Sequence, residues 1–147
     1  MDCPFCRRLS LPDDDLVVEL PHSIVLLGPW QFYHGYCIVV ARRHVTELFH
    51  LAPAERQAYF EEMCLVARAI HESFQPAKLN YELLGNQVPH LHWHLFPRDP
   101  HDRESLKPVW LALDRAEGDE VEWQRLQTGP ISRAETASIL RKKIHPS

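Results

Sequence analysis

The chain has 147 residues, of which 45% are hydrophobic and 24% charged, a balance that predicts a globular domain with its own buried core. A formal net charge of −4 provides no basic surface for duplex nucleic acid. No apolar stretch approaches the roughly 20 residues that cross a bilayer, and residues 1–4 show no start of a signal peptide, so we expect a cytoplasmic protein without nucleic-acid or membrane partners.

Three apolar segments in the first third of the chain predict strands. Residues 16–20 end before a proline, residues 24–27 end before a Gly-Pro turn signal, and residues 36–41 form a continuous, β-branched run. A continuous apolar run of this length is typical of a central strand.

A long helix is predicted between Pro53 and Pro76, because apolar residues recur every three or four positions from Phe60 to Phe74. Proline is favoured in the first turn of a helix and cannot continue one, so the two prolines mark its ends. Residues 79–84 predict the next strand, which a Gly-Asn break separates from the segment that follows.

The predicted strand 88–96 alternates between two kinds of residue and is expected to end at Pro97. Beyond it the pattern is less regular, although the capping pattern of Ser132 and Glu135 predicts a short helix that ends near Ile144. Two helices and four or five strands with hairpin-length connections favour an α+β domain with an antiparallel sheet.

Three of the ten histidines fall within five residues: His90, His92 and His94 alternate with apolar residues. Residues two apart share one face of a strand, so the imidazoles are expected to form a row with steps of about 6 to 7 Å. Three buried rings without a function would need hydrogen-bond partners, which argues against a purely structural role. Histidine serves as metal ligand, acid, base or nucleophile, and a flat row alone does not surround a tetrahedral ion.

Residues 85–98 read Gly-Asn-Gln-Val-Pro-His-Leu-His-Trp-His-Leu-Phe-Pro-Arg, which resembles the His-φ-His-φ-His-φ-φ signature of the histidine-triad (HIT) superfamily, where φ is apolar. The strand led by Gly35 and the later His44 resemble the family as well. The chain resembles bacterial diadenosine-polyphosphate-hydrolase-like or Hint-like members of the family that have an N-terminal zinc site. The resemblance implies a five-stranded antiparallel sheet with two main helices packed on it, usually in a homodimer.

The resemblance covers about residues 3–98, which we take as the core of a single domain of residues 1–147. Residues 99–147 are then a C-terminal extension with one short helix. Arg98, at the boundary, is a candidate for facing a phosphate, but a solvated side chain is the expectation.

The family resemblance implies hydrolysis or transfer of a nucleotide at its α-phosphate. Carried onto this sequence, His92 is the nucleophile that forms a nucleotidyl-histidine, and His94 donates a hydrogen bond to the phosphate or bridging oxygen. Asn86 and, more weakly, Gln87 are candidate phosphate contacts, and a simple turn before the strand explains both equally well. Many relatives have a histidine after the glycine, where this chain has Tyr36.

Cys3 and Cys6 form a C-x-x-C pair, a spacing that suits one corner of a tetrahedral Zn²⁺ site. A redox pair would follow a strand and open a helix, which we do not expect here. In relatives with such a pair, the resemblance implies zinc ligation by both cysteines, a mid-chain histidine and the first triad histidine, here His44 and His90. The zinc would be structural, the alternative being an empty site.

Leu26, Leu27 and Phe5 are candidates for lining a base pocket, although strand residues of this kind are more often core. The leading hypothesis is an enzyme that cleaves phosphoanhydride or phosphoramidate bonds at a nucleoside 5′-phosphate. The alternatives are a nucleotide-binding regulatory or interaction protein with little turnover, a hydrolase that binds a catalytic metal through all three triad histidines, and redox chemistry at the two cysteines.

Overall fold

Five antiparallel strands form one sheet with the order β1-β2-β3-β5-β4 in the computed structural model, which describes residues 2–145. The strands are β1 (Leu16–Glu19), β2 (Ser23–Leu27), β3 (Cys37–Ala41), β4 (Lys78–Glu82) and β5 (His92–Arg98). The helices are α1 (Pro4–Ser10), α2 (Pro53–Phe74), α3 (Val109–Ala116), α4 (Glu120–Gln127) and α5 (Arg133–Ile144). The predicted α+β fold with an antiparallel sheet is confirmed. Within the described range, no helix combines the length and apolarity that crossing a membrane requires.

The long helix α2 covers one face of the sheet. It begins at Pro53 and ends before Gln75, whose left-handed backbone (φ 49°) is a common way to end a helix. Its apolar stripe packs against Val25, Val39 and Leu95 of the sheet, and α5 lies beside it and against β1. The buried residues of α2 are Tyr59, Met63, Val66, Ala67, Ala69 and Ile70.

The other face of the sheet is covered by short helices from both ends of the chain. Because successive strand residues point to opposite faces, Ile38, Val40 and Phe96 pack on this side, away from α2. Their partners come from α1, α3 and α4, including Phe5 and Leu113. The side chains of His92 and His94 share this second face, so they lie between the sheet and helices rather than on an open surface.

Strand β5 differs from its predicted bounds at both ends. The amide of His90 donates to the carbonyl of Val88 at 2.8 Å, which closes a tight turn, and regular pairing begins only at His92. Pro97 lies within the strand opposite Leu79. It is tolerated because β3 pairs with β5 only as far as Leu95, so one side of the strand has no partner there.

Residues 99–145, the described part of the C-terminal extension, form three helices rather than one. The side chain of Ser132 accepts the amide of Glu135, as the capping pattern predicted, and Asp119 caps α4 in the same way. Helices α1, α3 and α4 were not predicted, because seven or eight residues make barely two turns and show no clear helical period.

Arg98 is buried, so the expectation of a solvated side chain was wrong. Its guanidinium donates to the side chain of Asn80 at 2.9 Å and to the carbonyls of Lys107 at 2.6 Å and Glu104 at 2.7 Å. It also pairs with the carboxylate of Asp102. These bonds tie residues 102–107, the segment that precedes α3, to the end of β5.

Replacing Arg98 with Met should lower the free energy of unfolding by about 2 to 4 kcal/mol, because several buried acceptors lose their donor. Urea denaturation measures the effect. Arg103→Met, on the same segment but exposed, is the control and should stay within about 0.5 kcal/mol of the parent. Equal stability of the two variants would show that Arg98 does not anchor the extension.

Candidate functional site

A cleft of about 350 Å³ lies on the second face of the sheet, between β5, the N-terminal helix α1 and the C-terminal helix α3. His92 and His94 lie at its base beside Tyr36 and Ile38. The remaining lining residues are Phe5, Pro29, Trp30, Leu84, Gly85, Asn86, Gln87, Val88, Trp110 and Asp114.

A hydrogen bond to the backbone two residues earlier holds the ring of His92. Its Nδ1 lies 2.6 Å from the carbonyl oxygen of His90. A carbonyl can only accept, so Nδ1 carries the proton and Nε2 keeps its lone pair. Burial lowers the pKa of His92, which favours the neutral ring, and Phe5 packs against it with ring centres 4.7 Å apart. The Nε2 of His92 is therefore unprotonated and can act chemically as a nucleophile or a base.

His94 lies next to His92, with ring centres 4.8 Å apart. Its Nδ1 is 2.7 Å from the hydroxyl of Tyr36, which is fully buried. Burial, followed by the neighbouring His92, lowers the pKa of His94 to about 3, so this ring is also neutral at physiological pH. The cleft thus holds two adjacent neutral imidazoles.

His90 does not share the cleft with the other two histidines. The turn before β5 takes its ring out of the expected row and directs it toward Cys3 and Cys6, with Nδ1 3.4 Å and 3.6 Å from the two sulfur atoms. His44, from the segment after β3, reaches the Cys6 sulfur with its Nδ1 at 3.1 Å. The potential ligand atoms of these four residues all lie within 4.8 Å of one another.

This cluster fits a tetrahedral metal ion. Sulfur and nitrogen ligands of one zinc ion lie about 3.5 Å apart, close to the distances found here. The Nε2 of His90 is 2.7 Å from the carbonyl of Ala41, to which it donates, so its Nδ1 lone pair points at the thiols. Burial, followed by the adjacent Cys3, raises the pKa of the Cys6 thiol, a penalty on the thiolate that a bound cation removes. These residues could hold a metal.

Contrary to expectation, the cysteine pair opens a helix, since Cys3 caps α1 and Cys6 lies in its first turn. In the part of the chain that the structure describes, however, no strand precedes this helix. The two neighbouring histidines match a metal site better than a free dithiol.

The other predicted ligand contacts divide into two groups. Phe5 lines the cleft, and Asn86 and Gln87 lie exposed at its rim. Leu26 and Leu27 do not reach it, because both are fully buried in β2. Neighbours on a strand point to opposite faces, so Leu27 packs on the α2 side, away from the cleft.

Several cleft residues were not predicted from the sequence. Trp110 of α3 lies edge-on to His94 at 5.3 Å and donates its indole N–H to Glu82. Trp30 and Asp114 complete this side. These contacts join distant segments and have no local sequence signal. For Tyr36, the available signal was its departure from the histidine that is common at this position.

A sequence model of the HIT domain matches residues 12–101. "Protein hit" of Bacillus subtilis is 29% identical over 104 residues, which cover 66% of this chain and 71% of that protein. An asymmetrical bis(5′-nucleosyl)-tetraphosphatase of Schizosaccharomyces pombe is 29% identical over 90 residues, or 58% of this chain, and the match spans half of its length. The crystal structure of a zinc-bound histidine triad family protein from Mycobacterium smegmatis superimposes with a TM-score of 0.68 at 21% identity, covering 97% of this chain and 92% of that one, which shows a common fold.

Proposed function

Because the chain belongs to the HIT family, we propose that it is a nucleotide hydrolase or transferase that uses His92 as a covalent nucleophile. The observation that carries the proposal is the bond from His92 Nδ1 to the His90 carbonyl, which leaves Nε2 with its lone pair beside the cleft. The Schizosaccharomyces pombe relative, named for its action on a dinucleoside tetraphosphate, supports a nucleotide substrate.

In the proposed first step, the Nε2 lone pair of His92 attacks the α-phosphorus, and the bond from phosphorus to the leaving group breaks with its electron pair on the leaving group. A phosphate leaves as the anion, whereas the nitrogen of a phosphoramidate takes a proton from solvent and leaves as the neutral amine. The resulting nucleotidyl-imidazole is positively charged, and its Nδ1–H continues to donate to the His90 carbonyl. Water then attacks the phosphorus, the electron pair of the N–P bond returns to His92, and a nucleoside 5′-phosphate leaves as the water proton passes to solvent.

The neighbouring residues have supporting roles in this proposal. His94 donates a hydrogen bond to the phosphate or bridging oxygen as negative charge develops there. Asn86 and Gln87 contact the phosphate from the rim of the cleft. Phe5 and Trp110 form apolar walls suited to the face of a nucleobase. Dinucleoside polyphosphates and nucleoside phosphoramidates both present the required bond at a nucleoside 5′-phosphate.

His92→Asn should reduce hydrolysis of diadenosine tetraphosphate by at least about 1,000-fold, because the covalent route needs the ring nitrogen. In the parent protein, rapid quenching followed by mass spectrometry should detect an adenylyl group on His92. His101→Asn, which changes an exposed histidine outside the cleft, serves as the control. Undiminished turnover by the His92 variant would contradict the mechanism, and nucleotide binding without turnover by the parent would indicate a regulatory protein instead.

We further propose that Cys3, Cys6, His44 and His90 bind one structural Zn²⁺. When bound, the ion supplies a cross-link that joins α1, the segment after β3 and the turn before β5. The close approach of the four side chains supports this assignment. The zinc-bound structural neighbour is consistent with it. His90 is then a ligand with no part in the reaction.

Cys3→Ala should abolish binding of one zinc per chain and lower the melting temperature by more than about 5 °C, because the cross-link is lost. The parent treated with a strong chelator should show the same shift. At temperatures where the variant stays folded, its turnover should fall much less than that of His92→Asn. Cys64→Ala, outside the cluster, is the control. A Cys3 variant as stable as the parent would count against a structural metal.

We also propose a homodimer in which the surface formed by edge strand β4 and the neighbouring part of α2 packs against the same surface of a second copy. Strand β4 ends the sheet, so its outer backbone groups have no partner strand among residues 2–145. Tyr81 on this edge and Phe60 on α2 are large apolar side chains left about half exposed. Phe60 packs against Trp93 on the same face of the sheet, which makes this surface continuous.

Light scattering after gel filtration should give twice the chain mass of 17.2 kDa. Tyr81→Glu should shift the protein toward the monomer, because a charge at the centre of an apolar interface is costly. Val121→Glu, on exposed α4, should leave the mass unchanged. A monomeric parent at micromolar concentration would rule out this proposal.

A further inference from the structure

We infer that Tyr36 is a positioning residue whose hydroxyl holds His94 with its Nε2–H directed to the reacting phosphate. The inference rests on the proposed function, because it assigns a role within the same cleft. It concerns the position where this chain departs from the histidine of many relatives.

The direction of the hydrogen bond between Tyr36 and His94 follows from the chemistry of its two ends. The hydroxyl oxygen and Nδ1 are 2.7 Å apart. A phenol is a good donor, and an imidazole nitrogen accepts better than a phenol oxygen. Within residues 2–145 the Tyr36 hydroxyl has no second hydrogen-bond partner, so accepting from His94 would leave its own proton buried and unpaired. The hydroxyl therefore donates, and the single proton of His94 lies on Nε2.

The residues around Tyr36 hold its ring in a fixed position. A Cβ at residue 28 would lie 2.2 Å from the ring, so only glycine leaves the space that the ring occupies. The side-chain amide of Gln31 donates to the carbonyls of Gly28 and Tyr36, each at 2.9 Å, and accepts from the amide of Gly35. Phe96 stacks on the ring with centres 3.9 Å apart. These contacts hold the ring in place, with its hydroxyl 2.7 Å from Nδ1 of His94.

The consequence is a complementary pair of nitrogens at the base of the cleft. His92 offers the lone pair of Nε2, because its proton is held at Nδ1 by a carbonyl. His94 offers a proton on Nε2, because its Nδ1 is occupied by a hydroxyl. One ring can attack phosphorus while the other stabilises the charge that develops on oxygen. Such a donor is effective because it needs no reorientation during the reaction.

Tyr36→Phe removes the hydroxyl and keeps the ring. We expect kcat for diadenosine tetraphosphate to fall about 10- to 100-fold with KM changed less than about threefold, since the lost alignment acts in the transition state. Tyr33→Phe is the matched control, because Tyr33 is buried in the same cluster and its hydroxyl bonds to no histidine in the described range. It should leave kcat unchanged.

Nitrogen-15 NMR of the histidine rings reports the tautomer of His94, and thereby distinguishes a positioning role of Tyr36 from a purely structural one. In the parent, His94 should carry its proton on Nε2, and in Tyr36→Phe this tautomer should lose its dominance. A His94 protonated on Nδ1 in the parent overturns the inference, and so does a variant with parental kcat. Because the parent spectrum needs no variant, a Tyr36 variant that fails to fold leaves the test intact. If the parent forms no adenylyl adduct, the proposed function fails, and the His94 spectrum still decides the hydrogen bond.

Discussion

The hydrogen bond from His92 to the carbonyl of His90 is the constraint on which the site depends. It assigns the ring proton to Nδ1 and leaves the lone pair of Nε2 unprotonated. The same residue that supplies this carbonyl directs its own imidazole into the Cys3, Cys6 and His44 cluster. One residue therefore links the orientation of the proposed nucleophile to the metal site that we propose at the N-terminal helix.

The fold makes this arrangement possible because β5 begins only at His92, after a turn, and not at residue 88 as the alternation predicted. A strand that continued through residue 90 would place three imidazoles side by side on one face. The turn at Val88 and His90 removes the first ring from that row, and the regular pairing from His92 onward keeps the other two in it. The helices on the second face then bury these rings, which must be hydrogen-bonded to be tolerated. Each ring has a partner: the carbonyl of Ala41 for His90, the His90 carbonyl for His92 and the Tyr36 hydroxyl for His94.

Local sequence patterns predicted most of the fold and the main residues of the site. The remaining features depend on contacts between segments that are distant in the chain. Some signals are visible in the sequence because each lies within one segment. They are the helical periodicity of α2, the apolar runs of β2 and β3, and the capping pattern at Ser132. The triad and the C-x-x-C pair likewise indicated the residues that form the cleft base and the possible metal site. The buried Arg98, the turn at His90 and the approach of Trp110 to His94 depend on segments far apart in the chain, which no periodicity records. The same holds for Leu27, whose face is determined by strand register rather than by residue type.

Ring nitrogen-15 NMR of His92 at neutral pH tests the central claim most directly, because it reports which nitrogen carries the proton. The lowered pKa of His92 predicts a single proton, and the His90 carbonyl predicts that it lies on Nδ1, with Nε2 unprotonated. A proton on Nε2, or on both nitrogens, would leave no lone pair facing the cleft and would contradict the proposed nucleophile.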